Sequence, residues 1–213
     1  MILVKPVVKV GNTAGVLVPR KWLYGEAEVR LLREPLNIKK DALRLLAPVL
    51  EDVKGIYLVG SHAREEASDR SDVDVLVVTA ESMKRIREGR YELLLIPEDD
   101  LEAEIEENAL PLLAMIREAK IILNKELIEK YRRIKVSKRN LRWHFEVGES
   151  GIVVARAILE AESRLVKNVS DEGVYSLVLR LRSIYIVECL IKNKKWTTEG
   201  LLKLVKKITG SLN

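Results

Sequence analysis

Thiols, imidazoles and side-chain amides are scarce in this sequence: one cysteine, two histidines and no glutamine among 213 residues. The lone Cys189 excludes an internal disulfide. It sits in an apolar-periodic stretch with Ile184, Val187, Leu190 and Ile191, which reads as a small buried helix residue rather than a reactive thiol. Two histidines and one cysteine do not build an ordinary zinc site, so a metal here is expected to be hard and oxygen-bound. Long apolar runs are missing too, and nothing approaches the ~20 residues that a membrane span needs. The opening Met1-Ile2-Leu3-Val4-Lys5-Pro6 lacks the basic and apolar blocks of a signal peptide. A soluble, cytoplasmic protein without membrane contact is the expectation.

What is present points to a folded, charge-rich chain. Hydrophobic residues make up 47%, enough for real cores, and 32% of residues are charged. Lys, Arg and Glu dominate, a pattern that fits a thermophile, where ion-pair networks become more favourable. The net charge is +5, with basic runs late in the chain, at 130–142 and 192–207. Such runs are either solvated helix surface or a patch for a polyanion such as RNA, DNA or a triphosphate.

Three parts are expected: a small β segment at 1–34, a mixed domain at 35–128 and a helical domain at 129–213. In the first, the runs 2–10, 16–18 and 27–32 look strand-like, broken by Gly11-Asn12-Thr13-Ala14-Gly15 and Leu23-Tyr24-Gly25. In the second, a helix is expected over 38–53 with Leu43, Leu46, Val49 and Leu50 on one face. Strands follow at 56–59, 73–79, 91–96 and 121–123, and helices at 63–67, 82–89, 101–107 and 109–119. Val73 to Thr79 is near-continuously apolar, as in a strand covered on both faces. In the third, helices are expected over 152–166 and 174–191, with a last one capped by Thr197 or Thr198 and carrying Leu201, Leu202, Val205 and Ile208.

Chemistry concentrates between Val59 and Val77. Asp72 and Asp74 stand two apart at the start of a strand, so both carboxylates project from one face while Val73, Val75 and Val77 point the other way. Adjacent carboxylates repel and are costly to desolvate, and a divalent cation resolves both costs. Upstream, Gly60 closes a strand and Ser61 opens a short helix. Glycine allows close backbone approach, while free amides and the Ser61 hydroxyl can receive phosphate.

Gly60-Ser61, Ala63-Arg64, Glu66-Ala67 and Ser71-Asp72-Val73-Asp74 together resemble the signature of the minimal nucleotidyltransferases of the DNA polymerase beta superfamily. The resemblance implies an α+β fold: a polymerase-beta-like mixed sheet with helices, a small N-terminal β segment and a C-terminal helical bundle. It also implies Mg²⁺ or Mn²⁺ held by Asp72, Asp74 and a third acid from a neighbouring strand. Glu92 in Tyr91-Glu92-Leu93-Leu94 is the candidate for that acid, with Asp99 and Asp100 as competitors. Gly60, Ser61, Arg64 and Ser71 are the candidate phosphate- and nucleotide-binding set. Arg64 can equally serve a structural ion pair with Glu66 or Asp69, and Ser71 can orient Asp72 or cap the strand entry. His62 is expected on the surface beside the pocket. The sequence departs from the family at Glu65, where glycine is usual, and at Glu92, where aspartate is usual.

The implied activity is transfer of a nucleoside monophosphate from a nucleoside triphosphate, ATP first among them, to a hydroxyl on a protein, RNA or small molecule. A second resemblance covers the first thirty or so residues. Lys9-Val10-Gly11-Asn12-Thr13-Ala14-Gly15-Val16-Leu17-Val18-Pro19 looks like the swapped hairpin of AbrB-like proteins, which implies a homodimer and contact with DNA. The competing reading is thus a DNA-binding regulator whose transferase fold is vestigial or senses nucleotides. Arg180, Arg182, Lys192, Lys194 and Lys195 are candidate contacts to an acceptor, and Trp196 is a packing residue. Arg139 and His144 have the spacing of a HEPN ribonuclease motif, but their surroundings do not match it.

Overall fold

The computed structural model describes residues 2–32, 35–165 and 171–210, without the side chains at 159, 162–165, 172, 173, 208 and 209. The expected helix end at Val166 and the side chain of Ile208 lie outside the described residues. The chain divides into two compact units, Met1–Leu36 and Asn37–Asn213.

The first unit is built on one hairpin. Strands β1 (Val7–Val10) and β2 (Thr13–Val16) pair antiparallel, Val7 opposite Val16 and Val10 opposite Thr13. The loop is only Gly11-Asn12, with Gly11 at φ +59, so the chain turns back earlier than the run of small residues suggests. Pro19, which cannot donate to a ladder, follows soon after β2, and a 3-10 turn spans Arg20–Trp22. The strand expected at 27–32 is absent: that stretch has no regular structure.

The second unit carries a five-stranded mixed sheet in the order β5-β6-β4-β3-β7. These are β3 (Val53–Val59), β4 (Val73–Thr79), β5 (Lys84–Glu88), β6 (Tyr91–Pro97) and β7 (Lys120–Leu123). β4 is central, antiparallel to β3 and parallel to β6. The helix expected at 82–89 is a strand instead. Gly89, at φ +58, opens a two-residue loop that folds Glu88 back onto Tyr91, so ladder pairing overrides the local preference of Lys84-Arg85-Ile86-Arg87-Glu88.

Both faces of the sheet are covered. Helix α1 (Ile38–Leu46), capped by the Asn37 side chain, lays Leu45 and Leu46 against Ile56, Val73, Val75, Val77 and Leu93. It is shorter than expected, because the chain passes into a 3-10 segment at Ala47–Asp52 around Pro48. Its core face is Ala42, Leu45 and Leu46, whereas Leu43 and Leu50 are exposed. The opposite face, carrying Tyr57, Val59, Leu76, Val78 and Ile96, packs against α3 (Glu98–Glu107), α4 (Leu112–Glu118) and α5 (Lys125–Arg132). The α6 (Lys138–Leu165) and α7 (Asp171–Ile191) helices add Leu141, Val187 and Leu190 to that core. Finally α8 (Thr198–Thr209) starts at Thr197, whose side chain accepts the Gly200 amide. No helix among the described residues is long and apolar enough to cross a membrane.

Candidate active site

The acidic residues gather at one end of β4. Asp74 is paired in register with Val59 on one side and Glu92 on the other, so Asp74 and Glu92 share a sheet face. Asp72 stands exposed just before the strand, while Val73, Val75 and Val77 fill the opposite core. Asp74 is half-buried, and its carboxylate has no hydrogen-bond partner among the described residues. Burial pushes its pKa up, and the Glu92 and Asp72 charges push the same way; Arg64 and His62 offset part of this. The side chain therefore stands in a negative field that its cationic neighbours only partly offset.

The turn after β3 is fitted to that carboxylate. Helix α2 (Gly60–Arg64) is a single short turn that begins at Gly60 with φ +69. A Cβ there would lie 2.2 Å from Asp74 Oδ2 and 3.1 Å from its Cγ, so only glycine lets Asp74 rest on this backbone. Glu65 ends the turn in the left-handed region, at φ 64. That conformation explains why glycine suits the position, and Glu65 adopts it under modest strain while its carboxylate meets Lys120 at 2.7 Å.

The proposed phosphate-binding residues divide into free and engaged. Ser61 is half-buried and its hydroxyl has no partner among the described residues. The Gly60 amide, by contrast, donates to Glu118 Oε1 at 2.7 Å. Arg64 donates to Glu118 Oε2 at 2.7 Å and to Glu66 Oε2 at 3.0 Å, and its guanidinium lies 3.7 Å from the centre of the Trp196 ring. It is thus the ion-pair partner of Glu66, not of Asp69, and it also meets Glu118, which no local pattern announces. Ser71 Oγ accepts the Ser68 amide, closing the loop before β4, while its carbonyl takes two donors from Arg90. His62 is half-buried rather than surface-exposed, and its Nε2 is enclosed without a hydrogen-bond partner.

Glu92 lies on the acidic face but is tied to the edge strand. Its Oε1 meets Arg87 at 3.1 Å and Arg85 at 3.2 Å. Asp99 and Asp100 lie in the first turn of α3, where carboxylates favour the helix dipole. No set of three His, Cys, Asp or Glu among the described residues is gathered closely enough to hold an ion by itself. The Asp72–Asp74 pair nevertheless suits a hard cation, since it offers oxygens only, repels itself and has Asp74 unpartnered. Mg²⁺ commonly takes one or two carboxylates and fills its remaining positions with water and substrate phosphate.

Some candidate residues of the C-terminal part are already engaged, while Lys194 and Lys195 stay exposed. His144 Nε2 accepts the Leu110 amide at 3.1 Å, and burial lowers its pKa, so it acts as a structural acceptor on α6. Arg182 lies 4.9 Å from the Trp196 ring centre, and Lys192 pairs with Glu188 one turn back. Trp196 and Cys189 are buried, as the sequence suggested.

Set beside known proteins, residues 37–144, just over half of the chain, match the nucleotidyltransferase domain family. The structure is similar to a spectinomycin adenyltransferase from Enterococcus faecialis solved with ATP and spectinomycin, at 17% identity and a TM-score of 0.44, covering 81% of this chain and 82% of that one. It is also similar to a nucleotidyltransferase-like protein from Exiguobacterium sibiricum 255-15, at 16% identity and a TM-score of 0.38, covering 83% of this chain and 69% of that one. Likenesses this loose carry no argument about activity. No curated protein matches the chain.

Proposed function

The chain belongs to the nucleotidyltransferase domain family, a family of transferases that generally use divalent metals, and from that premise we propose that it moves a nucleoside monophosphate from ATP to a hydroxyl of a protein, RNA or small-molecule acceptor. The observation that carries this reading is the unpartnered Asp74 carboxylate, which rests on the Gly60 turn and shares its field with Asp72 and Glu92.

In this reading Asp72 and Asp74 hold Mg²⁺ or Mn²⁺. Bound there, the ion would offset charge on the triphosphate and acidify the attacking hydroxyl. Gly60 keeps the backbone low enough for Asp74 to lie over it. Ser61 offers its free hydroxyl to a phosphate oxygen. The Gly60 amide is engaged by Glu118, so it is not the phosphate donor that the bare sequence suggests. Glu92 joins the metal set only by leaving Arg85 and Arg87.

The test is incubation with α-labelled ATP and Mg²⁺, followed by a search for label in protein and RNA fractions. Transfer by the native chain and none by Asp72→Ala/Asp74→Ala is expected. Equal transfer by both would remove these residues from the mechanism. The pairing of Glu92 with two arginines favours a second reading, in which the site senses nucleotide without turnover. Tight ATP binding with no pyrophosphate release would support it.

The first unit carries a separate proposal. Its hairpin leaves Val7, Val10, Leu17 and Val18 exposed, which supports pairing with a second copy in the manner of a swapped hairpin, and through it contact with DNA. Sedimentation as a strict monomer at micromolar concentration counts against the dimer.

A further inference from the structure

Glu118, the last residue of α4, sits where three elements meet. Its side chain and that of Arg64 are both 9% exposed. One carboxylate oxygen accepts the Gly60 amide and the other accepts Arg64, each at 2.7 Å. Burial raises the Glu118 pKa, while the Arg64 and Gly60 donors hold it down. Charged groups this enclosed are retained at a cost in desolvation, so their geometry asks for a reason.

The backbone that carries Glu118 is itself fixed. Arg132 on α5 donates to the Ile116 carbonyl at 3.1 Å and to the Ala119 carbonyl, gripping α4 on both sides of Glu118. Arg64 is fixed from three directions, by Glu118, by Glu66 and by the face of Trp196. Glu66 in turn accepts both the amide and the hydroxyl of Thr198, at 2.8 and 3.0 Å, at the start of α8. A continuous chain of short contacts thus runs from α8 through Glu66, Arg64 and Glu118 to the Gly60 amide, and the Gly60 backbone is what Asp74 rests on.

We propose that Glu118 is a positioning residue for nucleotide transfer: it fixes the Gly60 peptide so that the Asp74 carboxylate is held ready for the metal–nucleotide complex. The inference rests on the nucleotide reading above and adds to it a residue that touches neither metal nor nucleotide. Partners hydrogen-bonded to a metal ligand typically change metal affinity 10- to 100-fold when lost, and Glu118, one contact further out through Gly60, is placed at the low end of that range. Glutamine at position 118 puts an NH2 donor where one of the two accepting oxygens stands, so either the Gly60 amide or Arg64 then faces a donor instead of an acceptor.

The experiment is titration of the full chain with Mn²⁺·ATP by calorimetry. Wild type is expected to bind. Glu118→Gln, checked as folded by circular dichroism, is expected to raise the dissociation constant about tenfold or more, with Glu118→Asp recovering part of the loss. Ile105→Ala, which opens a cavity in the α3 core at a residue outside the Glu66–Arg64–Glu118–Gly60 chain of contacts, serves as the stability control. It is expected to lower Tm yet leave the dissociation constant within about twofold. A folded Glu118→Gln chain with wild-type affinity overturns the proposal.

Should Glu118→Gln not fold, the wild-type Gly60 amide proton decides. It is expected to keep a downfield NMR position, set by its short bond to a carboxylate, when Mg²⁺·ATP is added. Loss of that position on nucleotide binding would mean that the nucleotide displaces Glu118, and the positioning role falls. A wild-type chain that binds no Mn²⁺·ATP overturns the nucleotide reading itself, and this inference with it.

Discussion

Strands β1 and β4 are both written largely in valine, yet they meet opposite fates. In β1 three of four residues are exposed, whereas in β4 six of seven are buried and the seventh is Asp74. The difference lies in neighbours rather than in propensity. Among the described residues of its own unit, β1 has a single partner strand and no α-helix laid over either face. β4 has β3 and β6 alongside, with α1 on one face and α3 to α5 on the other. A two-stranded hairpin alone is marginal in water, while a central strand covered on both sides anchors a domain. The same enclosure that stabilises β4 makes its one carboxylate unfavourable, and that residue is where chemistry is proposed.

The contrast can be tested hardest at Asp74. Asp74→Asn is expected to cut nucleotide transfer roughly a thousandfold, equivalent to about 4 kcal/mol, measured as initial rate at saturating Mg²⁺·ATP. A chain reduced to residues 37–213 should keep its transfer rate within a few-fold. Loss of transfer on that truncation, with Asp74→Asn active, would invert the assignment of chemistry to β4. Gly60→Ala comes next. Its Cβ would strike Asp74 and meet an unfavourable φ, so transfer should fall about a hundredfold, and a wild-type rate would detach the turn from the site.

Stability sharpens the comparison through matched substitutions. Val77→Ala in β4 is expected to cost about 2 kcal/mol, from lost burial and the cavity left behind. Val7→Ala in β1 should cost no more than ~0.5 kcal/mol in a monomer, and should approach the Val77 value where the proposed second copy covers the hairpin. Urea midpoints followed by circular dichroism check both, and equal losses would show β1 to be buried in solution, as a paired second copy requires.

Smaller effects are expected from pH and from Glu65. The Asp74 pKa is raised above its ordinary 3.8, so the folded state binds this proton more tightly than the unfolded one. Its contribution to stability is therefore present at acid pH and is lost as pH rises from 3.8 through the folded value. Without metal, Asp74→Asn should gain on wild type across that window and hold a constant lead above it. Thermal melts over the range test this, and a lead that shrinks with rising pH would contradict it. Glu65→Gly relieves the left-handed strain but loosens the unfolded chain and removes the Lys120 pair, so a change within about 0.5 kcal/mol is expected by melting.

Much of the site was legible because its signals are local. Gly60-Ser61 and Asp72-Val73-Asp74 lie within fifteen residues, and alternation in a strand fixes which side chains share a face. Glu92 was a candidate only with the help of family resemblance; its register opposite Asp74 puts the two on one face, and its arginine partners were not foreseen. β5 was misread because Lys, Arg and Glu favour helices, and the Gly89 loop that returns the chain is a weaker signal than composition. Glu118 was invisible. It meets Gly60 across 58 positions and Arg64 across 54, and no periodicity reports a contact at that range. The Arg64–Glu66 pair was one of the readings the sequence offered, whereas the contacts of Arg64 with Glu118 and Trp196 were hidden for the same reason, since both partners lie far along the sequence.

The bonds between Glu66 and Thr198 span 132 positions, and this sets an order of events during synthesis. A nascent chain that has released β3 through β7 from the ribosome holds every strand of the sheet and its carboxylates. It still lacks the indole that faces Arg64 and the threonine that braces Glu66. The turn beneath Asp74 is finished only when the last helix emerges, so ribosome-stalled chains ending before Trp196 should carry the domain without its final adjustment.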